Sequence, residues 1–263
     1  PDKAIDSFLE VAKVDSQTVE LHFALGNLFR RRGETERAIR MHQNLIERDD
    51  IPEDLKLAAV SELGQDYLKA GLLDRAEETF ERLRGTMLDE EAKRSLLEIY
   101  QLGKDWERAI AIAKELPDVA SRKEIAEYYC ELAAAEMIRS RRAEARTHLE
   151  TALEMNRHCV RASLLLGDLN AQEGDQQAAI DSWQQIESQN PAYLALVAQR
   201  LLAAYRALDR RDDGLRLLRG YLENYHSLDL LDVVFQLVLE SDGAEVAYTL
   251  VRDELRRNPT LLG

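Results

Sequence analysis

The chain has 263 residues, 45% apolar and 32% charged, with only 12 Gly and 5 Pro, a balance that favours long helices over a strand-and-turn architecture. Its 35 basic residues against 49 acidic ones leave a formal charge of −14, a surface that repels phosphate backbones and anionic headgroups, so nucleic acid is not an expected partner. No apolar run approaches the roughly 20 residues needed to span a bilayer, and the start carries no signal-peptide pattern.

A small residue followed four positions later by a bulky one recurs along the chain. The small residues are Ala4, Ala38, Ala76, Ala109, Ala145, Ala179, Gly214 and Ala247, separated by 33 to 38 residues. Their partners are Phe8, His42, Phe80, Ala113, Leu149, Trp183, Leu218 and Val251, of which His42 and Ala113 depart from a large apolar side chain. A period near 34 is that of the tetratricopeptide repeat, a helix–turn–helix unit that buries its apolar stripe only against its neighbours. The spacing predicts an all-α fold: one tetratricopeptide-repeat superhelical solenoid of antiparallel helix pairs over 1–263.

In chain order, 1–15 reads as the second helix of a truncated repeat, so an upstream membrane anchor is an expectation for a longer chain. Complete repeats follow at about 18–51, 56–88, 89–122, 125–158, 159–193 and 194–227, with a seventh at 228–261. The string "ERDDIPED" lengthens the first connection between repeats by four residues. Twelve residues before the small position, Gly26, Gly64, Ala133 and Gly167 supply a second small residue where paired helices approach closely, whereas Leu97, Leu202 and Phe235 do not. Gly33, Gly71 and Gly174 lie five residues before the small position, where a left-handed cap ends the first helix without a Cβ penalty. Pro52, Pro117, Pro191 and Pro259 fall at repeat boundaries.

The chemistry-bearing residues are sparse. Cys130 and Cys159 form no C-x-x-C pair and sit inside helical patterns, as buried reduced thiols of a reducing compartment do. The five histidines include no i, i+4 pair, so no metal site is expected. No phosphate-binding glycine loop, nucleophile elbow or convergent carboxylate pair appears, so the chain is read as a binding protein and not an enzyme.

First helices line the concave groove of such a solenoid, and the register places Phe23, Asn27, Arg30, Arg31, Gln65, Lys69, Arg94 and Arg161 on that face. Asn and Gln suit a peptide backbone, and Arg suits a carboxylate, so an acidic or C-terminal peptide is the expected ligand. The same arginines also suit the negative end of a helix before Gly33. His42 is expected to be a packing histidine. If Asn27, Arg30 and Arg31 serve a partner, their joint replacement by Ala leaves the melting temperature nearly unchanged.

The strings "ALGNLFRRRGETERAIRMHQNL" (24–45), "SELGQDYLKAGLLDRAEETFERL" (61–83), "AEYYCELAAAEM" (126–137) and "DGAEVAYTLVRDELRRNPT" (242–260) resemble the lipopolysaccharide assembly protein B family of Gram-negative bacteria. The resemblance implies a protein held at the inner membrane by an N-terminal transmembrane helix. Its repeats would lie in the cytoplasm, and a C-terminal rubredoxin-type module would hold zinc or iron, with no cofactor assigned to the residues here. It further implies an adaptor that restrains lipopolysaccharide synthesis by promoting proteolysis of the lipid A pathway deacetylase by a membrane-bound AAA+ zinc protease. An inner-membrane antagonist is a further implied partner, and a homodimer is kept among the expected assemblies. The alternative is a tetratricopeptide scaffold or chaperone of another envelope or secretion pathway.

Overall fold

The computed structural model describes residues 19–116 and 120–257, so Ala4, Phe8, Pro117, Pro259 and the helix expected at 1–15 lie outside the described residues. Contacts group the chain into two compact units, 1–120 and 121–263, where the sequence was read as one array. The first unit contains α1 (Val19–Arg31), α2 (Thr35–Ile46), α3 (Glu53–Lys69), α4 (Leu73–Glu81), α5 (Asp89–Leu102) and α6 (Trp106–Glu115). The second contains α7 (Arg122–Ile138), α8 (Arg142–Met155), α9 (Val160–Gln172), α10 (Gln176–Gln189), α11 (Leu194–Ala207), α12 (Arg211–Tyr225), α13 (Leu228–Asp242) and α14 (Ala244–Arg257). A 3-10 turn at Pro191–Tyr193 leads into α11. Among the described residues there are no strands, and no helix is long and apolar enough to cross a membrane.

Within each unit every helix packs on its chain neighbour, and first helices also pack on first helices: α1 on α3, α7 on α9 and α11 on α13. This is the arrangement of a helical repeat, in which successive pairs share one apolar strip. The repeated small residues from Ala38 onward lie in second helices, and Ala38, Ala76, Ala109, Ala145, Ala179 and Ala247 are each 0% exposed. Burying the bulky partners, Phe80 and Leu149 among them, contributes about 1.5–3 kcal/mol each.

The glycines of the first helices explain how closely each pair can approach. A Cβ on Gly64 would lie 2.6 Å from Phe80 Cζ, and one on Gly26 would lie 2.4 Å from His42 Nε2. The corresponding atom on Gly167 would lie 2.2 Å from Trp183 Nε1, whose N–H donates to the Leu164 carbonyl at 3.2 Å. The bulky side chain of one helix therefore rests directly on the bare backbone of the other. Repeats that lack the glycine compensate. At the same two register positions Leu97 and Ala113 are both buried, with large and small exchanged. In the α11–α12 pair, Gly214 makes the room, since a Cβ there would meet Tyr205 Cβ at 3.0 Å.

The turns are more uniform than their residues. Gly33, Gly71 and Gly174 have φ of 79°, 73° and 87°, and Lys104, Ser140 and Asp209 at the same register have 55°, 60° and 56°. In all six, the next backbone N–H reaches back to the carbonyl five residues earlier, as in Glu34 to Phe29 at 2.9 Å and Arg141 to Glu136 at 2.9 Å. Closing the hairpin requires a left-handed residue there whatever its side chain. The insertion between α2 and α3 is not idle either: Ile51 is 8% exposed and packs with Leu45 and Ala59.

Two stability outcomes follow, both read by thermal or denaturant unfolding. Gly64→Leu destabilises by about 1–3 kcal/mol through overpacking against Phe80, and combining it with Phe80→Ala costs less than the sum of the two changes. Ser140→Gly stabilises by about 1 kcal/mol, because the left-handed conformation is costly only for a residue with a Cβ.

Candidate functional site

The first-helix side chains of unit 1 that the sequence assigned to a groove are tied to one another across repeats. Arg30, in the last turn of α1, donates from Nη1 to Asp66 Oδ1 at 3.0 Å and to the Glu62 carbonyl at 3.1 Å. Its Nη2 donates to Glu62 Oε2 at 2.6 Å and to Asn27 Oδ1 at 2.7 Å. The Asp66 side chain is 0% exposed, and its second oxygen accepts from His42 Nδ1 at 2.6 Å. An ionised carboxylate only accepts, so Nδ1 carries the proton. One buried carboxylate thus joins α1, α2 and α3, and its charge is met on one side by guanidinium and on the other by imidazole. Left unpaired, such a group would cost several kcal/mol. His42 Nε2, pressed against Gly26, has no hydrogen-bond partner.

The same sideways reach recurs between other first helices. From α3 to α5, Ser61 Oγ donates to Glu91 Oε1 at 3.0 Å and Gln65 Nε2 donates to Ser95 Oγ at 3.0 Å. In unit 2, Arg161 of α9 pairs with Glu131 of α7 at 2.7 Å, and Arg200 of α11 pairs with Asp168 of α9 at 2.9 Å. Burial raises the Asp168 carboxyl above its usual range despite the opposing pull of Arg200.

The candidate residues therefore separate by environment. Phe23 is half-buried, its ring 6.0 Å from that of His42, and packs beside Leu45 and Ile51. Asn27, Arg30, Gln65 and Arg161 are engaged between or within helices. Arg94 pairs with Glu90 one turn away, with its side chain 53% exposed. Arg31 and Lys69 are exposed in the last turns of α1 and α3. Arg30 is thus an inter-repeat clamp, and the expectation that removing it leaves stability unchanged does not hold against this geometry. The sequence reading missed its partners Glu62 and Asp66. The signal was the separation of 36 residues between Arg30 and Asp66, close to one repeat.

A second cluster joins α7 to the start of α9. Cys130 and Cys159 are both buried free thiols with Sγ atoms 3.7 Å apart, and Cys159 Sγ lies 3.5 Å from Glu127 Oε1. A hydrogen bond from Cys130 lowers the Cys159 thiol, helped by the Ala162 backbone N–H and opposed by burial. Cys130 is pushed far up as the thiol that keeps the proton, with burial adding to the shift. Cys159 is the residue from which α9 starts, a place where helix N–H groups favour a thiolate. Sequence spacing alone did not suggest this meeting, because the two cysteines are 29 residues apart and look unrelated.

Arg30→Ala lowers stability by about 1–3 kcal/mol, the range for losing hydrogen bonds to a charged group. A double-mutant cycle with Asp66→Asn gives a coupling energy above the few tenths expected of unconnected sites, whereas Arg31→Ala leaves the unfolding midpoint unchanged.

The tetratricopeptide-repeat family profile matches residues 130–193. Lipopolysaccharide assembly protein B of Escherichia coli K12 is 35% identical over 264 residues, covering 99% of this chain and 68% of that protein. The Haemophilus influenzae protein of the same name is 34% identical and covers 99% of this chain and 69% of its own length. Among solved structures, YrrB, described as a TPR protein with an unusual peptide-binding site, is 17% identical, covers 75% of this chain and 100% of that one, and has a TM-score of 0.43. With its helix-pair repeat, its left-handed turns at fixed register and its identity to those relatives along almost its whole length, the chain belongs to the lipopolysaccharide assembly protein B family.

Proposed function

We propose that the chain is a non-enzymatic adaptor that restrains lipopolysaccharide synthesis by binding the lipid A pathway deacetylase and promoting its degradation by the membrane-bound AAA+ zinc protease. The observation that carries this reading is the 35% identity to lipopolysaccharide assembly protein B over 99% of the chain. A repeat scaffold supports it physically, since regulated proteolysis needs only a surface that raises the local concentration of substrate at the protease. Attachment to the cytoplasmic face of the inner membrane, a rubredoxin-type zinc or iron module and an inner-membrane antagonist belong to the same reading.

The first-helix face supplies a specific docking hypothesis within unit 1. Asn27 is engaged by Arg30, and Arg30 by Glu62 and Asp66, so contact with a partner falls to the exposed cations Arg31 and Lys69, with Arg94 beside its carboxylate. Cations at helix C-termini, in an otherwise acidic chain, suit an acidic segment of the partner.

Titration of the 263-residue chain with purified deacetylase tests both levels. Saturable binding is expected, weakened at least tenfold by Arg31→Glu with Lys69→Glu while the melting temperature stays unchanged. Absence of binding to the parent chain overturns the placement of the substrate site on these repeats. Binding that the double substitution leaves intact overturns the docking face alone.

A further inference from the structure

We infer that Cys130, Cys159 and Glu127 form a binding site for a thiophilic divalent cation of the Zn2+ type at the junction of α7 and α9. The inference is independent of the adaptor role. One potential ligand atom from each of the three residues lies within 4.8 Å of the others. A tetrahedral Zn2+ with Zn–S bonds of about 2.3 Å sets its two thiolate sulfurs about 3.8 Å apart, and a carboxylate oxygen at about 2.0 Å falls about 3.5 Å from each sulfur. The observed Cys130–Cys159 Sγ separation is 3.7 Å, and Cys159 Sγ lies 3.5 Å from Glu127 Oε1. Two of the three ligand–ligand distances already stand at the edge lengths of that tetrahedron, and the third, from Cys130 to Glu127, lies within 4.8 Å.

The surroundings complete what such a site needs. The other Glu127 oxygen, Oε2, faces Arg161 Nη1 at 3.7 Å, an outer contact that orients the carboxylate, and Arg161 is itself anchored to Glu131 at 2.7 Å. A 710 Å³ cleft lined by Lys123, Glu127, His158, Cys159, Arg161 and Tyr193, among others, opens onto Cys159 and Glu127, giving an entry path and room for a water as fourth ligand. Cys130 belongs to a buried apolar cluster with Ala126, Ala133, Leu149 and Ala162, so one wall of the site is apolar. No electron transfer is involved: two S–H bonds break, two S–metal bonds form, and the protons go to solvent.

Anaerobic titration of the reduced chain with Co2+ reads this site directly, because Cys130 and Cys159 are its only two cysteines. One equivalent is expected to bind with the visible bands of tetrahedral cobalt and a thiolate-to-metal charge-transfer band, both displaced by Zn2+. Cys159→Ser removes the charge-transfer band. Glu127→Gln, at an exposed position that leaves the packed core untouched, weakens Zn2+ binding at least tenfold without changing the helical circular dichroism. The inference is overturned if no charge-transfer band appears at one equivalent, if cobalt binds with an octahedral spectrum that Cys159→Ser does not alter, or if Zn2+ affinity is unchanged in Glu127→Gln.

Discussion

The close approach of the two helices in each pair is the constraint on which the rest of this protein depends. Where Gly26, Gly64 and Gly167 face His42, Phe80 and Trp183, a single added carbon would sit within 2.2–2.6 Å of the opposing ring. That contact sets the interhelical distance, and the distance decides which side chains can face the next repeat. The six left-handed turns then follow, because a tight hairpin between closely packed antiparallel helices must reverse the chain within very few residues.

Once pairs are held at that spacing, the first helices of successive repeats come near enough for their polar residues to meet. Asp66 exploits this by drawing in Arg30 from the preceding first helix and His42 from the second, so that the bulky position of one pair doubles as a polar clamp on the next. A repeat protein has no central core to absorb mismatches, and lateral bonds of this kind couple neighbouring units that would otherwise fray independently. First-helix polar residues therefore fall into two groups: those engaged between repeats, such as Arg30, and those that stay exposed, such as Arg31 and Lys69.

How much of this was legible varies by residue. Ala38, Ala76, Ala145 and Ala179 declare the second helices at once, since only a small side chain fits and the period repeats it. Gly33, Gly71 and Gly174 announce their turns because glycine is common where φ is positive, but Lys104, Ser140 and Asp209 adopt the same conformation unannounced. The register placed Arg30 in a first helix, here the last turn of α1. Its pairing with Glu62 and Asp66 was signalled only by the 36 residues between Arg30 and Asp66, because pairing depends on which rotamers meet across a helix interface and not on position alone.

Helices and their pairing were legible in local spacing, a 3.6-residue stripe, a repeat near 34 and a small residue opposite a large one, and the family in the strings that fill that pattern. Folding had to bring repeats together before it was fixed which first-helix polar groups are consumed internally and that Cys130 and Cys159, 29 residues apart, stand with sulfurs 3.7 Å from each other. Those facts depend on distances between repeats, which are set by the summed packing of many side chains and are written in no single stretch of the chain.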